Sequence, residues 1–138
     1  AASLAAMRKV HPDRRLVVVF QPHRYSRTAA FLKPLAAALR EADLVLLLPV
    51  YGAGEAVVPS VSSRGIADRL RAEGRPCRLC EGEADALSAL GSLLRDGDVL
   101  LTLGAGSVSR LGGLFLSGEG TGAEGECAVP LPIEGLEL

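Results

Sequence analysis

The chain contains no tryptophan, a single methionine and only 4% aromatic residues. A core built around large rings is therefore excluded. With 49% of residues apolar, the interior must be filled by Leu, Val and Ala, the usual content of a helix-covered parallel sheet. Cysteine is also scarce. Cys77, Cys80 and Cys127 are odd in number, which argues against a disulfide framework and suits a reducing cytoplasm. No apolar run approaches the ~20 residues that cross a bilayer, so no membrane partner is expected. The formal net charge of -1 lacks the basic excess of a nucleic-acid binder. Also missing are a Gly-x-x-x-x-Gly-Lys-Ser/Thr phosphate loop, a nucleophile elbow and a convincing metal cluster. No catalytic residue and no metal ligand can be assigned, and the domain reads as half of an active site.

At 138 residues the length suits one compact domain. Short apolar runs alternate with amphipathic stretches, the signature of an α/β fold whose mostly parallel sheet carries helices on both faces. Residues 2–10 predict an Ala-rich helix that reads as entered midway, so a fragment is expected. Strands are predicted at 16–21, 44–48 and 99–103, with a weak one at 78–80. Helices are predicted from about Thr28 to Glu41, from Ser62 or Ser63 to Ala72, from Ala84 to Arg95 and from Val108 to Phe115. Pro34 is awkward within the first of these, and requires a late start or a kinked first turn. The domain is expected to occupy 1–116. From 117 to 138 the composition turns to Gly and Glu, with five glutamates and no base, and this tail is expected to be loosely held or to pack against an edge.

The most informative segment is Leu16-Val17-Val18-Val19-Phe20 running into Gln21-Pro22-His23-Arg24-Tyr25-Ser26-Arg27-Thr28. A short continuous apolar run reads as a strand buried on both faces, and Pro22 ends it. His23, Arg24 and Arg27 then emerge at its carboxyl end, where open α/β sheets bind ligands. If the loop begins to coil, Arg24 and Arg27 share a face and two planar guanidiniums can converge on one carboxylate or phosphate. Thr28 is a possible helix N-cap. The plainer reading is a solvated basic loop whose arginines pair with nearby acids. Residues 1–27 hold Arg8, Lys9, Arg14, Arg15, Arg24 and Arg27 against Asp13 alone, a bias that fits a local anion site.

Two further loops are candidate cleft edges. Tyr51-Gly52-Ala53-Gly54-Glu55 follows the second strand and offers an exposed carboxylate for an ammonium or metal-bound water, or simply for solvent. Gly104-Ala105-Gly106-Ser107 follows the last strong strand. It starts like a dinucleotide fingerprint but has Ser109 in place of the third glycine. Cys77 and Cys80 have CxxC spacing without a second pair, so neither zinc nor redox chemistry is expected of them.

Three segments carry a family resemblance in order and spacing: Phe20-Gln21-Pro22-His23-Arg24-Tyr25-Ser26-Arg27-Thr28, Val50-Tyr51-Gly52-Ala53-Gly54-Glu55-Ala56, and Leu101-Thr102-Leu103-Gly104-Ala105-Gly106-Ser107. Over about residues 1–112 the chain resembles the C-terminal domain of the Mur ligases of peptidoglycan synthesis, and its first segment is similar to that of the alanine-adding branch. The resemblance implies a Rossmann-like third domain of a cytoplasmic, ATP-dependent ligase that joins L-alanine to UDP-N-acetylmuramate. It further implies that His23, Arg24 and Arg27 hold the L-alanine carboxylate, and that ATP and Mg²⁺ are bound mainly by the central ATPase and N-terminal domains. Alone, this domain would then not ligate. A non-catalytic module binding a carboxylated or phosphorylated metabolite is the competing expectation. Departures from the family pattern are Ser62 in place of an aspartate, Gly52 in place of a proline and Pro34 within the first helix.

Overall fold

The computed structural model describes residues 2–104 and 106–117, so expectations for Ala105 and for the tail beyond Ser117 lie outside the described residues. The order is α1 (Ala2–Val10), β1 (Leu16–Gln21), α2 (Tyr25–Ala30), α3 (Leu32–Leu39), β2 (Leu44–Leu47), α4 (Arg64–Ala72), β3 (Cys77–Leu79), α5 (Glu83–Leu93) and β4 (Val99–Gly104), followed by a 3-10 turn (Gly106–Arg110) and α6 (Leu111–Leu116). The four strands form one sheet in the order β3-β2-β1-β4, and every pairing is parallel. The expected α/β, Rossmann-like architecture is what the chain adopts.

Strand β1 is central, with Val18 opposite both Val45 and Leu101. Its alternate residues enter two different cores, which explains the unbroken apolar run. Leu16, Val18 and Phe20 pack with Leu4 of α1, Leu35 and Leu39 of α3, and Ile66 and Leu70 of α4. Val17 and Val19 pack on the other face with Ala86 and Leu90 of α5, Val108, and Leu111 and Phe115 of α6. Each fully buried Leu or Val contributes about 1.5 to 3 kcal/mol relative to exposure.

The connections from β1 to β2 and from β2 to β3 run over the first face. The one from β3 crosses back on the second face, through α5, to place β4 beyond β1. The direction of winding therefore reverses between β1 and β4, and the crevice at their carboxyl ends is the topological switch point.

Several local expectations are corrected. The helix expected over 28–41 is two helices broken at Phe31 (φ -116°, ψ 27°). Pro34 has no N-H and its ring would collide with the carbonyl four residues earlier, so a fresh helix begins at Leu32 and the proline falls in its first turn. Thr28 is not a cap but lies inside α2, where its hydroxyl donates to the Arg24 carbonyl at 2.7 Å. Of the two serines expected to cap α4, Ser63 holds the cap position without a side-chain cap bond, because its hydroxyl donates instead to the Leu48 carbonyl, whereas the Ser62 hydroxyl accepts the Arg64 N-H at 3.3 Å. The segment expected to be one helix over Val108–Phe115 is a 3-10 turn followed by α6. As anticipated, Gly74 (φ 74°) closes α4. Its N-H reaches Arg71 O and the Arg75 N-H reaches Leu70 O, the paired bonds of a Schellman ending.

At the amino ends of the strands, charges neutralise one another. Arg15 meets Asp98 at 2.6 Å and Arg8 meets Asp43 at 2.7 Å. Asp98 also accepts the Arg95 N-H, and Asp43 the Leu16 N-H. Burial pushes the Asp43 carboxyl up, but the hydrogen bonds from Arg8 and Leu16 outweigh it and hold the group below its ordinary range. The hydrogen bonds that Arg15 donates to Asp98 raise its guanidinium further. Two arginines of the basic N-terminal stretch are thus engaged away from the crevice, and the charge bias along the chain overstated the local anion site.

Candidate functional site

Past Gln21 the chain leaves β1 at Pro22, yet its pairing with the neighbouring connection continues. The Tyr51 N-H donates to the Pro22 carbonyl at 2.9 Å, and the Arg24 N-H donates to the Tyr51 carbonyl at 2.7 Å. This makes a single parallel bridge between His23 and Tyr51. The two rings stack with centroids 5.9 Å apart and planes inclined by 26°. Nearer the strand ends, Gln21 Nε2 donates to the Pro49 carbonyl at 3.3 Å.

Arg24 is the cap residue of α2, with φ 67° and ψ 139°. A non-glycine residue pays about 1 to 3 kcal/mol for such a conformation and keeps it only where the surroundings over-determine it. They do so here: its N-H is tied to Tyr51, and its carbonyl accepts both the Thr28 N-H at 3.1 Å and the Thr28 hydroxyl. Arg27 follows one turn into α2, on the same side as Arg24 by helical spacing. Arg24 is exposed, whereas His23 and Arg27 are half-buried. Among the described residues, no carboxylate lies within ion-pair distance of Arg24 or Arg27. The arrangement offers two uncompensated guanidiniums beside an imidazole at the carboxyl end of the central strand. It is suited to a small anion, bound through charge-assisted hydrogen bonds.

The second loop folds onto the first. Glu55 is half-buried, rather than an exposed carboxylate on a flexible loop, and its Oε1 accepts the Ser26 hydroxyl at 3.1 Å. Ala53 (φ 51°) and Gly54 (φ 91°) turn the chain, and the Glu55 N-H closes on the Gly52 carbonyl at 3.0 Å. A Cβ at Gly52 would meet the Tyr25 ring at 3.2 Å, so the glycine seats the loop against α2. Tyr51 remains 46% exposed at the mouth.

The third loop reaches the crevice through β4, where Gly104 stands opposite Gln21. Its φ is 140°, and an added Cβ would lie 2.7 Å from the Gln21 carbonyl oxygen. Only glycine lets β4 approach β1 this closely at the switch point. Gly106 opens the 3-10 turn that includes Ser107. Gln21 and Ser26 had not stood out in the sequence. Their signal is only that polar residues interrupt an apolar strand exit, and their partners lie far away along the chain.

Burial raises both the Cys77 and Cys80 thiols above the ordinary value, which makes them poor nucleophiles. Among the described residues there is no group of three His, Cys, Asp or Glu side chains able to hold a metal ion. No helix among them is long and apolar enough to cross a membrane. Among the described residues this mouth offers two guanidiniums, one imidazole and a single carboxylate that already accepts from Ser26, a set that does not fit Mg²⁺, and the sequence has no Gly-x-x-x-x-Gly-Lys-Ser/Thr loop for the phosphates of ATP.

Together these features describe a doubly wound α/β domain whose central strand exits into a basic turn paired with the loop after β2. The family described as "Mur ligase, glutamate ligase domain" matches residues 1–106. The chain belongs to the Mur ligases, the ligases of peptidoglycan and cell-wall synthesis, as a C-terminal domain of that family. It is 45% identical over 119 residues to the UDP-N-acetylmuramate–L-alanine ligase of Desulfosudis oleivorans, covering 86% of this chain and 26% of that protein. The like-named ligase of Nitratidesulfovibrio vulgaris (strain DP4) is 45% identical over 120 residues, with the same coverage of each chain. That of Neisseria gonorrhoeae is 43% identical over 112 residues, or 80% of this chain and 24% of the relative. The chain thus spans about a quarter of the length of the curated relatives it matches.

Proposed function

We propose that this domain is the amino-acid-binding part of an ATP-dependent ligase that joins L-alanine to UDP-N-acetylmuramate, and that His23, Arg24 and Arg27 hold the L-alanine carboxylate. The observation that carries the reading is the pair of guanidiniums at the exit of β1, with no internal carboxylate among the described residues to neutralise them. The names of the relatives supply the substrate class. ATP, Mg²⁺ and the UDP-sugar belong, in this reading, to the central and N-terminal domains of the same cytoplasmic enzyme, and this domain alone does not complete the reaction.

The contribution of this chain is binding and orientation. Arg24 and Arg27 fix the carboxylate end of the amino acid, and His23, steadied by the Tyr51 ring, meets a second oxygen. Holding that end leaves the amine directed toward the acyl partner held by the neighbouring domains, and alignment of two reactants can lower a barrier by several kcal/mol. Movement of the whole domain over the other two would complete and close the site.

The test is kinetic. In the full-length enzyme, Arg24→Ala and Arg27→Ala should each raise the KM for L-alanine by about tenfold or more, a loss of about 1.5 to 3 kcal/mol for a hydrogen bond to a charged group, while the KM for ATP stays as it was. An unaltered alanine KM in both variants would remove the assigned role and favour a module for some other anion.

A further inference from the structure

The carboxylate of Glu55 has no place in the reading above, yet it is half-buried beside the basic turn and holds a specific partner. Its Oε1 accepts the hydroxyl of Ser26, in the first turn of α2. Ser26 lies between Arg24, whose backbone is in the left-handed region, and Arg27. Apart from the Thr28 hydroxyl on the Arg24 carbonyl, the remaining hydrogen bonds on this turn join main-chain groups that many sequences could supply: Arg24 N-H to Tyr51 O, Tyr51 N-H to Pro22 O, and Thr28 N-H to Arg24 O. Glu55 itself is set by the Ala53-Gly54 turn and by its own N-H on Gly52 O, with Gly52 seated on the Tyr25 ring. The acid therefore stands on a constrained loop and grips the Ser26 hydroxyl, which lies between the two arginines.

The geometry points to Glu55 as a positioning residue: by holding Ser26 it locks the start of α2 onto the 51–55 loop and so fixes the turn from which Arg24 and Arg27 project. This inference rests on the anion-binding reading of those arginines and extends it. The carboxylate acts through the hydrogen bond to Ser26, and it touches neither substrate nor reacting atoms. A negative charge near a site for an anion would otherwise weaken binding, and its engagement by a hydroxyl gives it a different task.

A double-mutant cycle in the full-length enzyme tests this. Glu55→Ala and Ser26→Ala should each raise the KM for L-alanine by about three- to tenfold, as expected for loss of one hydrogen bond, with kcat at saturating alanine and the KM for ATP retained. The double variant should be no worse than either single one. Glu55→Gln, whose amide oxygen still accepts from Ser26, should restore most of the affinity. In the same protein, the amide resonances of Arg24 and Thr28 should shift in Glu55→Ala and Ser26→Ala but not in Glu55→Gln. The inference is overturned if Glu55→Gln is as impaired as Glu55→Ala, which would mean that the charge itself meets the substrate. It is equally overturned if the single effects add, or if the two amides do not move. Failure of the underlying reading is seen separately, as an unaltered alanine KM in Arg24→Ala and Arg27→Ala, while the amide shifts still judge the clip.

Discussion

The two ends of the sheet use the same residue type in opposite ways. Arg15 and Arg24 flank the same strand, β1. At the amino end, Arg15 lies against Asp98, which is only 6% exposed, and also donates to the Leu93 carbonyl. At the carboxyl end, Arg24 is exposed, has a backbone in the left-handed region and meets no carboxylate among the described residues. One end is closed electrostatically and stabilises the fold. The other is left open and strained, the pattern expected where binding rather than stability is served.

The strongest way to break this contrast is at the closed end. Asp98→Ala leaves Arg15 without its partner and removes the acceptor for the Arg95 N-H. Stability should fall by about 3 kcal/mol, the low end of the range for breaking a buried pair because Arg15 reaches partly into solvent. Urea denaturation reads this as a lower midpoint at unchanged m. A loss within ordinary surface-pair values would show that the two ends do not differ.

At the open end the sign should reverse. Arg24→Gly removes the guanidinium and relieves the positive φ, so the protein should be unchanged or more stable by up to about 1 kcal/mol, even as affinity for the anion falls. Thermal unfolding and alanine KM, measured on one preparation, test the two halves together. Destabilisation by more than about 1 kcal/mol would place Arg24 among the structural arginines.

The smallest effect concerns pH. Because the folded Asp43 carboxyl lies below its ordinary value, its contribution is complete above the unfolded value of about 4 and disappears as pH falls through the folded one. Asp43 is 36% exposed, so solvent screening keeps this below about 1 kcal/mol. Asp43→Asn should reduce the loss of stability below about pH 4, and a pH profile identical to the parent would remove Asp43 from the closed end.

Much of the scaffold is legible in the chain. Leu16 to Phe20, Leu44 to Leu48 and Val99 to Leu103 announce buried parallel strands because every apolar residue in them has a core to enter, on one face or the other. The Gly74 stop is equally readable, since a left-handed position after a helix favours glycine. The hydroxyls were harder. Thr28 and Ser63 carry the chemistry of caps, but each found a carbonyl elsewhere, and the choice between those acceptors depends on tertiary distance. The Pro34 incompatibility and its relief by a late start near Lys33 could be anticipated, and α3 begins at Leu32, whereas the separate helix α2 before it could not. For the site, His23, Arg24 and Arg27 were legible as a group because they leave one strand together. The Ser26-Glu55 contact and the bridge from His23 to Tyr51 were not, because no local pattern marks a pairing between the exits of two different strands.

What the sequence determined by itself is where the chain must be buried and where it must turn, since apolar periodicity, proline and glycine act on neighbours in the chain. Which of its arginines are neutralised was decided only by the tertiary structure. Coulombic attraction and hydrogen bonding fall off with distance in space, and only the parallel register brings Asp98 beside Arg15 while leaving Arg24 at the opposite end of the same strand.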